Sequence, residues 1–182
     1  MNTKQFIILF TLILASSLSN AQSFGIAREI DEFTGDTIVS CDWVTLNDPV
    51  WKSGPISYFK LYQLDGQSIL HFKVTSSKVN SVDEGDSFFI KLNNGEILEF
   101  AVNEHQITSR GAGAHKFRGS EALGFSLLFK VSTEQLKQLS SSNVSKLRLE
   151  TRNGYLEFEP EKQKYKKEVT DYFAFFYKFI SR

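Results

Sequence analysis

The chain has 182 residues with 21 basic and 21 acidic side chains, so it lacks the excess of positive charge that rewards nucleic-acid binding through counterion release. Its length suits one domain, and its 17 phenylalanines supply bulk for one sizeable core. The single cysteine, Cys41, excludes an intramolecular disulfide.

The first 21 residues read as a cleaved signal peptide. Lys4 supplies the positive start, Phe6–Ala15 the apolar run, and Ser19 and Ala21 the small residues ahead of a cleavage point before Gln22. The apolar run is about half of the roughly 20 residues that a membrane-spanning helix needs. No cysteine stands near the cut to take a lipid anchor. Residues 22–182 are then expected as a single β-rich domain, periplasmic or extracellular, with 20 basic and 21 acidic side chains once Lys4 is removed.

In chain order, "FGIAREIDEFTGDTIVSCDWVTL" reads as two strands about a Thr34-Gly35 turn, with Ile26 and Ile30 facing Trp43 and Val39. Cys41 falls inside the second as a buried, inert thiol. The Pro/Gly/Asn stretch "NDPVWKSGP" is a loop, with Trp51 expected as a plug at the edge of the core.

Three hairpins follow from period-2 alternation. In the first, an Asp65-Gly66 loop pairs Leu61 with Leu70 and Phe59 with Phe72, leaving Lys60, Tyr62, His71 and Lys73 on the other, half-solvated face. A three-residue loop, Asn93-Asn94-Gly95, sets Leu92 against Glu96, Ile90 against Leu98 and Phe88 against Phe100. A two-residue loop would split the apolar set between faces. In the third hairpin, an Asn153-Gly154 loop sets Thr151 against Leu156 and Leu149 against Phe158, with Lys146, Arg148, Glu150, Tyr155, Glu157 and Glu159 outside.

Two helices interrupt the strands. "VSTEQLKQLSSS" carries a capping box, Ser132 with Gln135, ahead of Leu136 and Leu139 on one face. Over 161–181, Tyr165, Val169, Tyr172, Phe173, Phe176 and Ile180 form one apolar stripe that should cover a sheet face or close one end. Phe175 and Phe179 widen it. The fold expected is all-β: an antiparallel β-sandwich or open barrel of about eight strands, with a short connecting helix and a C-terminal amphipathic helix.

Standard catalytic and cofactor motifs are missing. "RGAGAHKFRG" has Lys116 where a dinucleotide fingerprint needs its third glycine, and it lacks the Gly-Lys-Ser/Thr ending of a Walker loop. His71, His105 and His115 have no metal-ligand spacing, and the acidic "SVDEGDS" lacks the alternation of a calcium loop and reads as a solvated turn. No nucleophile elbow is present. No cofactor or metal is called for. The one binding candidate is an anion site of Arg110, His115, Lys116 and Arg118 on the glycine-rich loop 108–120; a solvated connector between Val102 and Phe125 is the plainer expectation.

The order of an aspartate before an apolar strand, "NNGE", a capped short helix and then "KLRLETRNG", over roughly residues 86–160, resembles small uncharacterised exported proteins of Gram-negative bacteria. The resemblance implies an extracytoplasmic all-β domain and carries over no functional residue. Two classes of function follow: a non-catalytic binding or structural module of the cell envelope with an envelope or extracellular ligand, or an envelope-directed hydrolase whose residues converge from several strands. A third is binding of an apolar ligand between the sheet and the C-terminal helix.

Overall fold

A computed structural model describes residues 24–49, 54–160 and 162–181; the expected signal peptide and Trp51 lie outside them. Two antiparallel sheets face each other across an aromatic core. The larger contains β1 (Ile26–Ile30), β2 (Thr37–Cys41), β3 (Val44–Asn47), β4 (Ser57–Leu64), β5 (Gln67–Ser76), β10 (Ser109–Arg110) and β11 (Leu123–Val131), in the order β1-β2-β4-β5-β11-β10 with β3 also on β4. The smaller runs β13-β12-β7-β8, from β7 (Ser87–Leu92), β8 (Ile97–Ala101), β12 (Val144–Thr151) and β13 (Gly154–Phe158). β6 (Ser81–Val82) and β9 (Gln106–Ile107) form a separate short pair. The result is sandwich-like rather than a closed barrel, because the two sheets keep separate edges.

Alternation puts Phe72 and Phe129 on the inner face of the large sheet and Phe88 and Phe100 on that of the small one. Phe88 stacks on Phe72 with ring centroids 4.6 Å apart and on Phe129 at 4.9 Å. All four rings are buried, and such pairs add about 0.5–1.5 kcal/mol each beyond the area they bury.

The first two expected hairpins form in register. Phe59 lies opposite Phe72 and Leu61 opposite Leu70. Ile90 lies opposite Leu98 and Phe88 opposite Phe100, with Gly95 at φ +93° closing the turn. The third is slipped by two residues: Leu149 meets Leu156, Leu147 meets Phe158, and Arg152-Asn153 make the turn. A slip of two keeps every side chain on its face. It also places Glu157 opposite Arg148, whereas the expected register sets it against Glu150, an unfavourable like-charge pair.

The N-terminal hairpin is corrected in the same way. Ile26 pairs with Cys41 and Ile30 with Thr37, because the turn is longer than Thr34-Gly35. The Asp31 carboxylate accepts the N–H groups of Phe33 and Thr34, and these bonds hold its pKa below the usual carboxylate value. β1 is left as an exposed edge, with Ile30 67% accessible.

Helix α1 (Thr133–Ser141) carries the expected capping box and buries Leu136 and Leu139. Helix α2 (Gln163–Ile180) packs against α1, β3 and β12 and buries Val169, Tyr172, Phe173 and Phe176. Tyr165 and Ile180 are only half-buried, so the stripe is deepest at its middle. Among the described residues, no helix is long and apolar enough to cross a membrane.

Candidate functional site

The segment 108–120 is a chain of hydrogen-bonded turns rather than an open connector. β10 pairs with the start of β11, Gly111 N–H donates to the Ala122 carbonyl at 2.8 Å, and Ala114 N–H donates to that of Gly111 at 2.9 Å. His115 and Arg118 exchange N–H···O bonds of 3.2 Å about a turn whose Lys116 has φ +54°. Two glycines let this segment lie directly on the outer face of the large sheet. A Cβ on Gly113 would sit 2.5 Å from the Val74 oxygen, and one on Gly124 would sit 2.6 Å from the Gly113 nitrogen.

The four residues expected to hold an anion go to different surroundings. Arg110 pairs with Glu121 at 3.0 Å, both well exposed. Arg118 pairs with Asp48, which tethers the turn to the end of β3. Lys116 is exposed at the turn. His115 folds inward, its ring centroid 5.4 Å from that of Tyr58 and 5.7 Å from that of Trp43. The geometry therefore leaves the two arginines on separate carboxylates and delivers only the histidine to the sheet.

What His115 meets there is a cluster of aromatic and cationic groups. Tyr58, Lys60 and Tyr62 of β4, His71 and Lys73 of β5, and Ser126 of β11 all project outward, because their neighbours Phe59, Leu61, Leu70, Phe72 and Leu127 are in the core. Trp43, from the break between β2 and β3, leans over them. Its ring lies 4.7 Å from that of His71, and the Lys73 ammonium sits 4.9 Å from its centroid. Lys73 also donates to the Ala114 carbonyl at 3.1 Å, joining loop to sheet. The Lys60 ammonium is 4.9 Å from the Tyr62 ring.

His71 occupies the centre. Its Nδ1 is 2.9 Å from the Tyr62 hydroxyl and its Nε2 is 2.7 Å from the Ser126 hydroxyl. Burial, with Lys73 and then Lys60 adding repulsion, lowers its pKa to about 4. His115 is lowered chiefly by burial, then by Lys116, Lys73 and Lys60, against a smaller opposing pull from Asp42. Burial also pushes the Tyr58 and Tyr62 phenols up. At neutral pH the face presents neutral imidazoles and phenols beside two lysines.

Serine, histidine and a third hydrogen-bonding group in series invite comparison with a nucleophilic triad, and the distances would serve. The electrostatics run the other way. A triad's carboxylate stabilises the imidazolium that forms as serine is deprotonated. Here the third group is an uncharged phenol, and two ammonium groups oppose the imidazolium. A base held near pKa 4 accepts a proton poorly at neutral pH. The arrangement suits recognition by donors, acceptors and ring faces.

Comparison with family models, with curated proteins and with solved structures finds no match to this chain. The site therefore stands on its own chemistry.

Alternation along β4 and β5 places Lys60, Tyr62, His71 and Lys73 on one face but does not by itself mark that face as a site. The available signal was the composition of that face, two lysines and two rings with no acid among them. Trp43 and Ser126 carried no such signal, since their positions depend on the break after β2 and on the pairing of β11 with β5. Elsewhere, His105 Nδ1 lies 2.6 Å from Asp83 Oδ1, at the edge of the acidic turn. The outer face of the small sheet has an open depression of about 360 Å³ lined by Phe89, Lys91, Ile97, Lys146, Arg148 and Glu157. There Glu157 already engages Lys146 at 2.9 Å and Arg148 at 2.6 Å. Among the described residues, no group of three His, Cys, Asp or Glu side chains is placed to share a metal ion.

Proposed function

We propose that the chain is an exported, non-catalytic binding module of the cell envelope, and that its ligand surface is the outer face of the large sheet around Trp43 and His71. Support for export comes from the leader-like residues 1–21, and the resemblance to small exported proteins of Gram-negative bacteria points the same way. The observation that carries the functional reading is His71, kept neutral between Tyr62 and Ser126 beneath Trp43 and beside two lysines. Such a face offers hydrogen bonds and flat apolar surface together, the usual composition of a small-ligand site.

An apolar ligand between sheet and C-terminal helix has less support. Tyr172, Phe173 and Phe176 are fully buried in that interface, and Phe173 lies 5.8 Å from Phe59.

Co-sedimentation of the exported protein with purified peptidoglycan sacculi and with outer-membrane vesicles tests the proposal. Binding to one of these, weakened at least tenfold in Trp43→Ala, is the expected result. Hydrolysis of model esters by the wild type that disappears in Ser126→Ala would replace the binding module with an enzyme. No binding to either fraction, or binding indifferent to Trp43, would remove this face as the ligand surface.

A further inference from the structure

The two outer faces of the sandwich treat their cations differently. On the small sheet, Lys146 and Arg148 share Glu157, and Lys146 also reaches Glu159 at 3.4 Å. On the large sheet, Lys60 and Lys73 flank His71 on the same face, yet neither lies within 4.0 Å of a carboxylate among the described residues. Both side chains are half-buried. The nearby Asp42 carboxylate accepts from the Gly25 N–H at 3.2 Å, and the Asp48 carboxylate is taken by Arg118. The Lys73 ammonium is partly desolvated, neither lysine has a carboxylate partner among the described residues, and an anion placed between them would be attracted by both.

Resting on the assignment of this face as the ligand surface, we propose that the ligand is an acidic saccharide whose oxyanion, carboxylate or phosphate, is held by Lys60 and Lys73 while its ring packs against Trp43. Lys73 spends one N–H on the Ala114 carbonyl and keeps two for the ligand; Lys60 makes no hydrogen bond among the described residues. Charge-assisted hydrogen bonds from both would fix the anion, and the neutral imidazole of His115 and the Tyr62 ring would border it. Flat aromatic surface matches the C–H face of a sugar ring, and polar edges match its hydroxyls. The arginines of the 108–120 loop are outside this set.

The test is a titration of the isotope-labelled exported protein, following the Trp43 indole N–H resonance and heats of binding. Four probes are used: an oligogalacturonate, a sugar phosphate, a neutral oligosaccharide of the same length as the first, and inorganic phosphate. Expected are a shift of the Trp43 signal by one or both acidic sugars, affinity at least tenfold above the neutral sugar and above inorganic phosphate, and at least tenfold loss in Lys60→Met. Which acidic sugar binds more tightly separates carboxylate from phosphate. Lys73→Met should weaken binding too; because Lys73 also anchors the loop, Lys60→Met is the deciding variant. Equal affinity for acidic and neutral sugars, unchanged by Lys60→Met, overturns the anion inference while leaving the binding face intact. Equal affinity for inorganic phosphate and sugar phosphate overturns the saccharide part. If no probe moves Trp43 although envelope binding still depends on it, the ligand class is wrong; if that dependence is absent as well, the binding face itself falls.

Discussion

The backbone N–H of Leu61 donates to the phenolic oxygen of Tyr172 at 2.8 Å, joining residues 111 positions apart. The bond fills a gap in the sheet. β2 stops pairing with β4 at Ser40–Tyr62 and β3 begins at Val44–Phe59, so Leu61, between them, has no strand partner on that side. Helix α2 supplies the missing acceptor, and Tyr172 is the largest fully buried side chain there. Tyr172→Phe keeps the ring and removes the acceptor. Stability should fall by about 1–3 kcal/mol, the cost of an unsatisfied buried donor, and denaturant unfolding measures it.

Trp43 leans onto the proposed ligand face from the same break, and the loop that meets it depends on two glycines. Gly124→Ala puts a methyl group 2.6 Å from backbone atoms of Gly113 and Val74, which cannot swing aside. A loss of about 1–3 kcal/mol is expected from overpacking. Amide exchange across 111–118 should quicken, and the His115 ring should leave Tyr58. Unchanged exchange there would show that the loop does not rest on the sheet.

Acid should weaken the fold through His71. Its folded pKa, about 4, lies below the unfolded value near 6.5, so the unfolded chain binds the proton more readily between them. The contribution is fully present above about 6.5 and is lost as pH falls towards 4. His71→Gln should be less stable than the wild type at pH 7 but lose less stability on going to pH 4.5, as read by melting temperature across that range. Parallel curves for the two proteins would rule out the burial argument.

Cys41 is 1% accessible, and burial, with Asp42 adding repulsion, pushes its thiol up to about 12. Iodoacetamide at pH 8 should leave the native protein unlabelled over hours and modify it within minutes in denaturant, as followed by intact mass. Rapid native labelling would show that β2 opens readily.

The short helix makes a simpler prediction. Ser132 accepts the Gln135 N–H at 3.1 Å and the Gln135 side chain accepts the Ser132 N–H at 3.0 Å. Ser132→Ala should cost about 1 kcal/mol in equilibrium unfolding.

What the sequence determined by itself was local. The Asp65-Gly66 and Asn93-Asn94-Gly95 turns, the registers they impose and the capping box at Ser132 depend on neighbours within about ten residues, so alternation and turn chemistry suffice to read them. The middle of the α2 stripe was legible for the same reason, a fixed period on one element. Register failed where charged side chains rather than the turn dipeptide and apolar alternation decided it. The Asp31 carboxylate lengthened the N-terminal hairpin, and Arg148 drew Glu157 out of its expected place. The proposed ligand face depended still more on tertiary structure. Its sheet residues share a side by alternation, but Trp43 reaches them through a break between strands, Ser126 through the pairing of β11 with β5, and His115 through a loop whose two arginines find carboxylates elsewhere. Each of those placements is set by long-range packing and by competition for charge, which no spacing along the chain encodes.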